Sequence, residues 1–145
     1  MALTMSQTSE AILARLRDNT NAPVYDTEDE DLLPSNHTGL FQPYYVVYFG
    51  GPVRTTNPGS RGIVNPKHDV HILWCTVQCT APTTQSRNVL VDDALNLLTG
   101  WRPPNSGHMI LEGGMDYTIG NTTVPPVRYF KRITWQYRTN LELDI

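Results

Sequence analysis

From Val127 to Thr139 the side chains alternate. Val127, Tyr129, Ile133, Trp135 and Tyr137 share one parity, and Arg128, Arg132, Thr134, Gln136 and Arg138 share the other. A period of two sustained this long predicts a strand with one face on a core and the other toward water. Lys131 interrupts the apolar parity, so that end of the strand is expected to overhang the core. Such a strand needs partners on its edges and a layer over its apolar face. The rest of the chain must supply both.

Tyr44, Tyr45, Val46, Val47, Tyr48 and Phe49 form an unbroken apolar and aromatic run, as expected of a strand covered on both faces, and Gly50-Gly51-Pro52 is expected to stop it. A third strand is read over His68–Thr80, with Val70, Ile72 and Trp74 on one face and Leu73, Cys75 and Val77 on the other. Apolar groups on both faces argue for a central position. Shorter strands are read at Val24–Tyr25 and His108–Glu112, the latter closed by Gly113-Gly114.

The covering layer is helical. A first helix spans Met5–Asp18, with Thr4 as cap, Gln7 reaching back to it, and Ile12, Leu13 and Leu16 as a narrow apolar stripe. A second begins after Thr83 and repeats Val91, Ala94, Leu95 and Leu98 at helical spacing, broadened by Leu90 and Leu97. Gly100 stands where a C′ glycine ends a helix, Trp101 is expected to fold back on Leu95, and Pro103-Pro104 prevents continuation. At 145 residues the chain has room for one core. The expected fold is therefore one α+β domain over residues 1–145. Its mostly antiparallel or mixed sheet carries two packed helices, with long contact loops at about 26–42, 50–67 and 113–126.

Connections that long are commonly functional. They contain Leu32, Leu33, Leu40, Phe41, Ile63, Val64, Ile119 and Val124, apolar groups suited to docking on a neighbour. Asp26, Glu28, Asp29, Glu30 and Asp31 crowd five acids into six positions, while Arg54, Arg61 and Lys67 lie in a stretch with no acid. Patches of opposite sign suit head-to-tail packing of subunits. The net charge of −3 argues against a general nucleic-acid binder. Arg128–Arg132 mixes aromatic and basic residues like a stacking platform for single strands, but the alternation is expected to turn its aromatics into the core. No apolar run approaches membrane-spanning length, and the first residues lack the pattern of a secretory signal.

No constellation for catalysis is found. His37, His68, His71 and His108 have no metal-ligand spacing, and the chain has no phosphate loop, dinucleotide turn or nucleophile elbow. Cys75 and Cys79, four apart on one strand, stand about 13 Å from one another, too far for a disulfide. Both are expected to be unreactive apolar thiols. No catalytic, cofactor or metal residue is assigned. One alternative stays open: a small enzyme or ligand-binding domain with a pocket over the sheet near Trp74, His108 and Glu112.

Several segments taken in order carry a resemblance. They are Ser9–Leu16, Pro43–Pro52, Val77–Thr83, Leu97–Pro103, Leu111–Gly114, Arg128–Phe130 and Tyr137–Asn140. In this order and spacing the chain resembles the tail terminator proteins of long-tailed, siphovirus-type actinobacterial phages. The acidic stretch and the Asn57–Pro66 arm lie outside the shared pattern. The resemblance implies a virion structural protein, not an enzyme, made in the host cytoplasm and located at the neck. It would form a sixfold ring on the head-proximal end of the tail tube, stop tube growth and offer the head-attachment surface. The implied partners are further copies of itself, the major tail tube protein and the head-closure or connector protein. DNA would pass through without specific binding, and no cofactor is implied. On this reading Asp26, Glu28, Asp29, Glu30 and Asp31 are candidates for an acidic lumen. Arg54, Arg61, Ile63 and Lys67 are candidates for subunit or tube contact. Deleting residues 54–66 is then expected to leave a folded domain that forms no ring. Another neck component, a head-closure or adaptor protein, is the nearest alternative.

Overall fold

The computed structural model of the chain describes residues 5–26, 42–54, 70–104, 106–112, 116–119 and 128–140. The elements run α1 (Met5–Asn19), β1 (Val24–Asp26), β2 (Tyr44–Arg54), β3 (Val70–Ala81), α2 (Thr84–Leu98), β4 (Ile110–Leu111), β5 (Asp116–Ile119) and β6 (Tyr129–Asn140). They form an α+β arrangement around one six-stranded mixed sheet. Its order is β1-β2-β3-β6-β4, with β5 also on β6. Among the described strands β1 and β2 run parallel and the other pairs are antiparallel.

β3 is central, as its two apolar faces predict, and pairs along its whole length with β6, from Val70↔Asn140 to Ala81↔Tyr129. Both helices cover the face made by the odd-numbered residues of β2, β3 and β6. There Ile12, Leu13 and Leu16 of α1 and Leu90, Val91, Ala94 and Leu98 of α2 join Tyr45, Val47, Leu73, Cys75, Val77, Cys79, Ile133, Trp135 and Tyr137 in one core. Fully burying such side chains contributes roughly 1.5–3 kcal/mol each. Two hydrogen bonds fix α2 to the sheet: Tyr45 donates its hydroxyl to the Leu90 carbonyl at 2.9 Å, and Trp135 Nε1 donates to Thr99 Oγ1 at 2.9 Å. Arg15 ties α1 to the far end of α2, donating Nε to the Leu97 carbonyl at 2.8 Å with its guanidinium 4.9 Å from the Trp101 ring centre.

The ends of α2 follow the sequence. Thr83 accepts from the Ser86 amide at 3.1 Å, and Gly100 takes a positive φ of 78° just past the C-cap Thr99. Trp101 packs half-buried against the main core. Thr4, the expected first cap, lies outside the described residues.

Four expectations are corrected. Gly50-Gly51-Pro52 does not stop β2; the strand crosses it on a register shift between Gly50 and Val53 and continues to Arg54. Gly51 has φ 90°, and a Cβ there would stand 2.8 Å from the Ile72 carbonyl oxygen, so glycine permits the close approach of β3. β4 is shorter than His108–Glu112, because His108 and Met109 are drawn to the end of α2: Met109 donates to the Trp101 carbonyl and accepts from the Gly100 amide, both at 2.8 Å. The stretch 113–126 contains β5, which pairs Asp116↔Arg132 through Ile119↔Tyr129. Lys131 does not overhang the core. It lies between Cys79 on β3 and Tyr117 on β5, and only 3% of it is exposed. With a strand on each side, that end of β6 is inside the sheet.

Candidate functional site

The predicted contact residues divide at the boundary of the described chain. Asp26 closes β1, half-buried and in register with Val47. Arg54 ends β2 opposite His71, so its backbone belongs to the sheet and not to a loop. Glu28, Asp29, Glu30, Asp31, Arg61, Ile63 and Lys67 lie outside the described residues.

Of Trp74, His108 and Glu112, the structure joins the first and the last by a hydrogen bond and engages His108 elsewhere. Trp74 Nε1 donates to Glu112 Oε1 at 2.9 Å, and His108 Nδ1 is 2.6 Å from the Gly100 carbonyl oxygen. These bonds hold the β4 edge to its surroundings. Among the described residues, no group of three or more His, Cys, Asp or Glu side chains could hold a metal ion.

The thiols are buried and unpaired by any disulfide. Burial pushes the Cys79 thiol up to about 12, against the opposing pull of the Lys131 and Arg87 charges, and raises Cys75 further with no opposing charge. A thiol that holds its proton this firmly is a poor nucleophile. His71 Nδ1 and the Tyr137 hydroxyl are buried without a hydrogen-bond partner. They are diagonal neighbours across β3 and β6, because His71 pairs with Thr139 and Leu73 with Tyr137.

The face away from the helices carries the even-numbered residues. Tyr44 and Val46 are buried there with Tyr25 and Tyr48 against them, while Arg132 and Arg138 are exposed. Phe130 also belongs to this face, opposite Thr80, with the Arg132 guanidinium 5.5 Å from its ring centre. The expectation that the Arg128–Arg132 aromatics all turn into the core therefore fails at Phe130, whose even number sets its direction.

Two large hydrophobic side chains are exposed among the described residues: Val89 at 55% and Ile110 at 56%. Val89, on the outer side of α2, borders a cavity of about 250 Å³ also lined by Ala22, Pro43, Leu90 and Asp93. Gln42 braces its mouth by donating Nε2 to the Asn21 carbonyl at 3.1 Å. Ile110, on edge strand β4, stands opposite Gln136, which is itself opposite Trp74. Neither feature is named by the sequence reading. A signal exists for the first: Val89, Leu90 and Val91 are consecutive on a helix, and three such positions span more of its circumference than one buried stripe.

No described helix is long and apolar enough to cross a membrane. No protein-family model matches the chain, and no curated protein matches it.

Proposed function

We propose that the chain is a structural assembly protein of a long-tailed phage, forming a ring that caps the head-proximal end of the tail tube. The ring ends tube elongation and presents the surface to which the head connector attaches. The observation that carries this reading is where the resemblance falls in the fold. Ser9–Leu16 lies in α1, and Tyr44–Pro52 lies in β2. Val77–Thr83 is the end of β3 with the cap of α2, Leu97–Pro103 the end of α2, and Leu111 closes β4. Tyr129-Phe130 and Tyr137–Asn140 are the two ends of β6. The shared segments are thus the framework of the sheet and its helical layer, the part that a family of ring subunits keeps while its contact loops vary.

The chemistry of the described residues supports the same reading. Its thiols are sealed, and His108 and Glu112 are engaged in local hydrogen bonds. Ile110, exposed on edge strand β4, offers an apolar contact to a neighbouring subunit.

The test is native mass spectrometry and electron microscopy of the purified full chain, alone and mixed with tail-tube subunits. The expected result is a closed sixfold ring that binds tube ends and halts their growth. A chain that stays monomeric at all concentrations and leaves tube length unchanged contradicts the proposal.

A further inference from the structure

We infer that successive copies of this chain join head to tail, with Ile110 of one copy seated in the Val89 cavity of the next. This deepens the ring reading and rests on it. The two exposed large hydrophobics lie on separate parts of the fold, Ile110 on edge strand β4 and Val89 on α2. Ile110 is on β4, the last strand in the order, and the cavity is bounded by Ala22, two residues ahead of β1, and Pro43, just ahead of β2, the first two strands in that order. A projecting group and a recess placed apart in this way cannot meet within one molecule. Placed between copies they generate a heterologous contact, the type that closes into rings.

Size and polarity fit this occupant. A cavity of roughly 150 Å³ suffices for a benzene-sized group, so about 250 Å³ admits a branched aliphatic side chain. Ala22, Pro43, Val89 and Leu90 offer apolar walls to such a side chain, and the other half of the lining is polar.

Charge sets the orientation. Asp93 lines the cavity and Asp92 is exposed beside it on α2, where the sole base, Arg87, is buried. At the β4 edge, Arg138 is exposed two residues from Gln136, the residue opposite Ile110, and on the same face. Glu112, two residues from Ile110, is half-buried and held by the Trp74 indole, so the exposed charge at the projecting edge is the base Arg138, and the recess brings an acid. Complementary charge around an apolar centre favours this register and disfavours like-to-like contact of two equal edges.

The experiment uses the full chain with two exposed-position variants, Ile110→Asp and Val89→Asp, read by native mass spectrometry. Thermal melts near that of the parent protein establish that each is folded. Each variant alone is expected to lose rings by about tenfold or more. An equimolar mixture retains one intact junction, pairing unaltered Ile110 with an unaltered cavity, and should give a one-to-one dimer that grows no further. As a second arm, Asp93→Arg and Arg138→Asp should each weaken rings, and the double exchange should restore them. If the parent protein forms rings and all four variants do so equally well, this junction is overturned while the ring reading stands. If the parent protein never associates, the ring reading itself fails.

Discussion

The indole N–H of Trp74 reaches over β6 to the Glu112 carboxylate, 2.9 Å away, and so links central β3 to the residue just beyond edge strand β4. β4 has only two residues paired with β6, Ile110 and Leu111, so its backbone bonds alone anchor it weakly. The Glu112 amide donates to the Thr134 carbonyl at 2.9 Å and completes the attachment. Glu112→Ala should cost about 1–2 kcal/mol of unfolding free energy, a hydrogen bond to a charged group in a half-buried place. Trp74→Phe, which keeps an aromatic side chain but loses the indole N–H and part of the ring system, should cost at least as much, and the double variant less than the sum. Urea unfolding of the four proteins checks this. Fully additive losses would show that the two side chains act independently.

Tyr45 and Tyr137 are both buried, yet their hydroxyls differ in what they meet. Tyr45 donates to the Leu90 carbonyl, whereas the Tyr137 hydroxyl has no hydrogen-bond partner. Tyr45→Phe should destabilise by about 1 kcal/mol or somewhat more, since it strands a carbonyl in the core. Tyr137→Phe should be neutral or stabilising, because it removes a desolvated group that gains nothing. Equilibrium unfolding of both variants gives the comparison. Equal losses would contradict it.

Alkaline pH should unfold the chain through its buried acids. Cys79 rises from 9.0 to about 12, and Cys75, Tyr45 and Tyr137 are raised too, in each case mainly by burial. These groups keep their protons in the folded state at pH values where the unfolded chain releases them. The stability they contribute is complete below pH 9.0, the ordinary thiol value, and is lost as pH rises from there toward 12. Urea midpoints should therefore fall between about pH 9 and 11, with a shallower fall in Cys79→Ala. Native protein at pH 8 should also resist thiol alkylation until denatured. Rapid alkylation of the folded chain would refute the burial of both thiols.

Two glycines with positive φ should respond differently to alanine. At Gly51 (φ 90°) a Cβ meets the Ile72 carbonyl oxygen at 2.8 Å, while at Gly100 (φ 78°) it meets nothing within 4 Å. Gly100→Ala should cost only the left-handed strain, about 1–2 kcal/mol. Gly51→Ala adds a backbone clash that must separate β2 from β3, and should lower the melting temperature further. Equal melting temperatures for the two variants would contradict this difference.

Where the sequence was explicit, the fold follows it. Thr83 and Gly100 mark both ends of α2 because capping chemistry is local, and β6 is legible because its alternation is long. What the sequence concealed is set by neighbours distant in the chain. Gly50-Gly51 looks like a terminator, but β3 approaches there and makes it a bulge. β5 is four residues long and is defined by its pairing with β6, which no local pattern announces. Lys131 has the signature of an exposed residue, but its odd position in a flanked strand sets it on the covered face beside buried Cys79 and Ile133. The same reason hides the candidate junction. Ile110 has the same apolar character as Met109 and Leu111, and only the sheet reveals that it points away from the helices.

The most direct test of the ring proposal is quantitative mass spectrometry of purified virions, with the portal protein as internal standard. One sixfold ring at the neck predicts this chain at about half the portal's copy number. Its absence from virions would contradict the proposal.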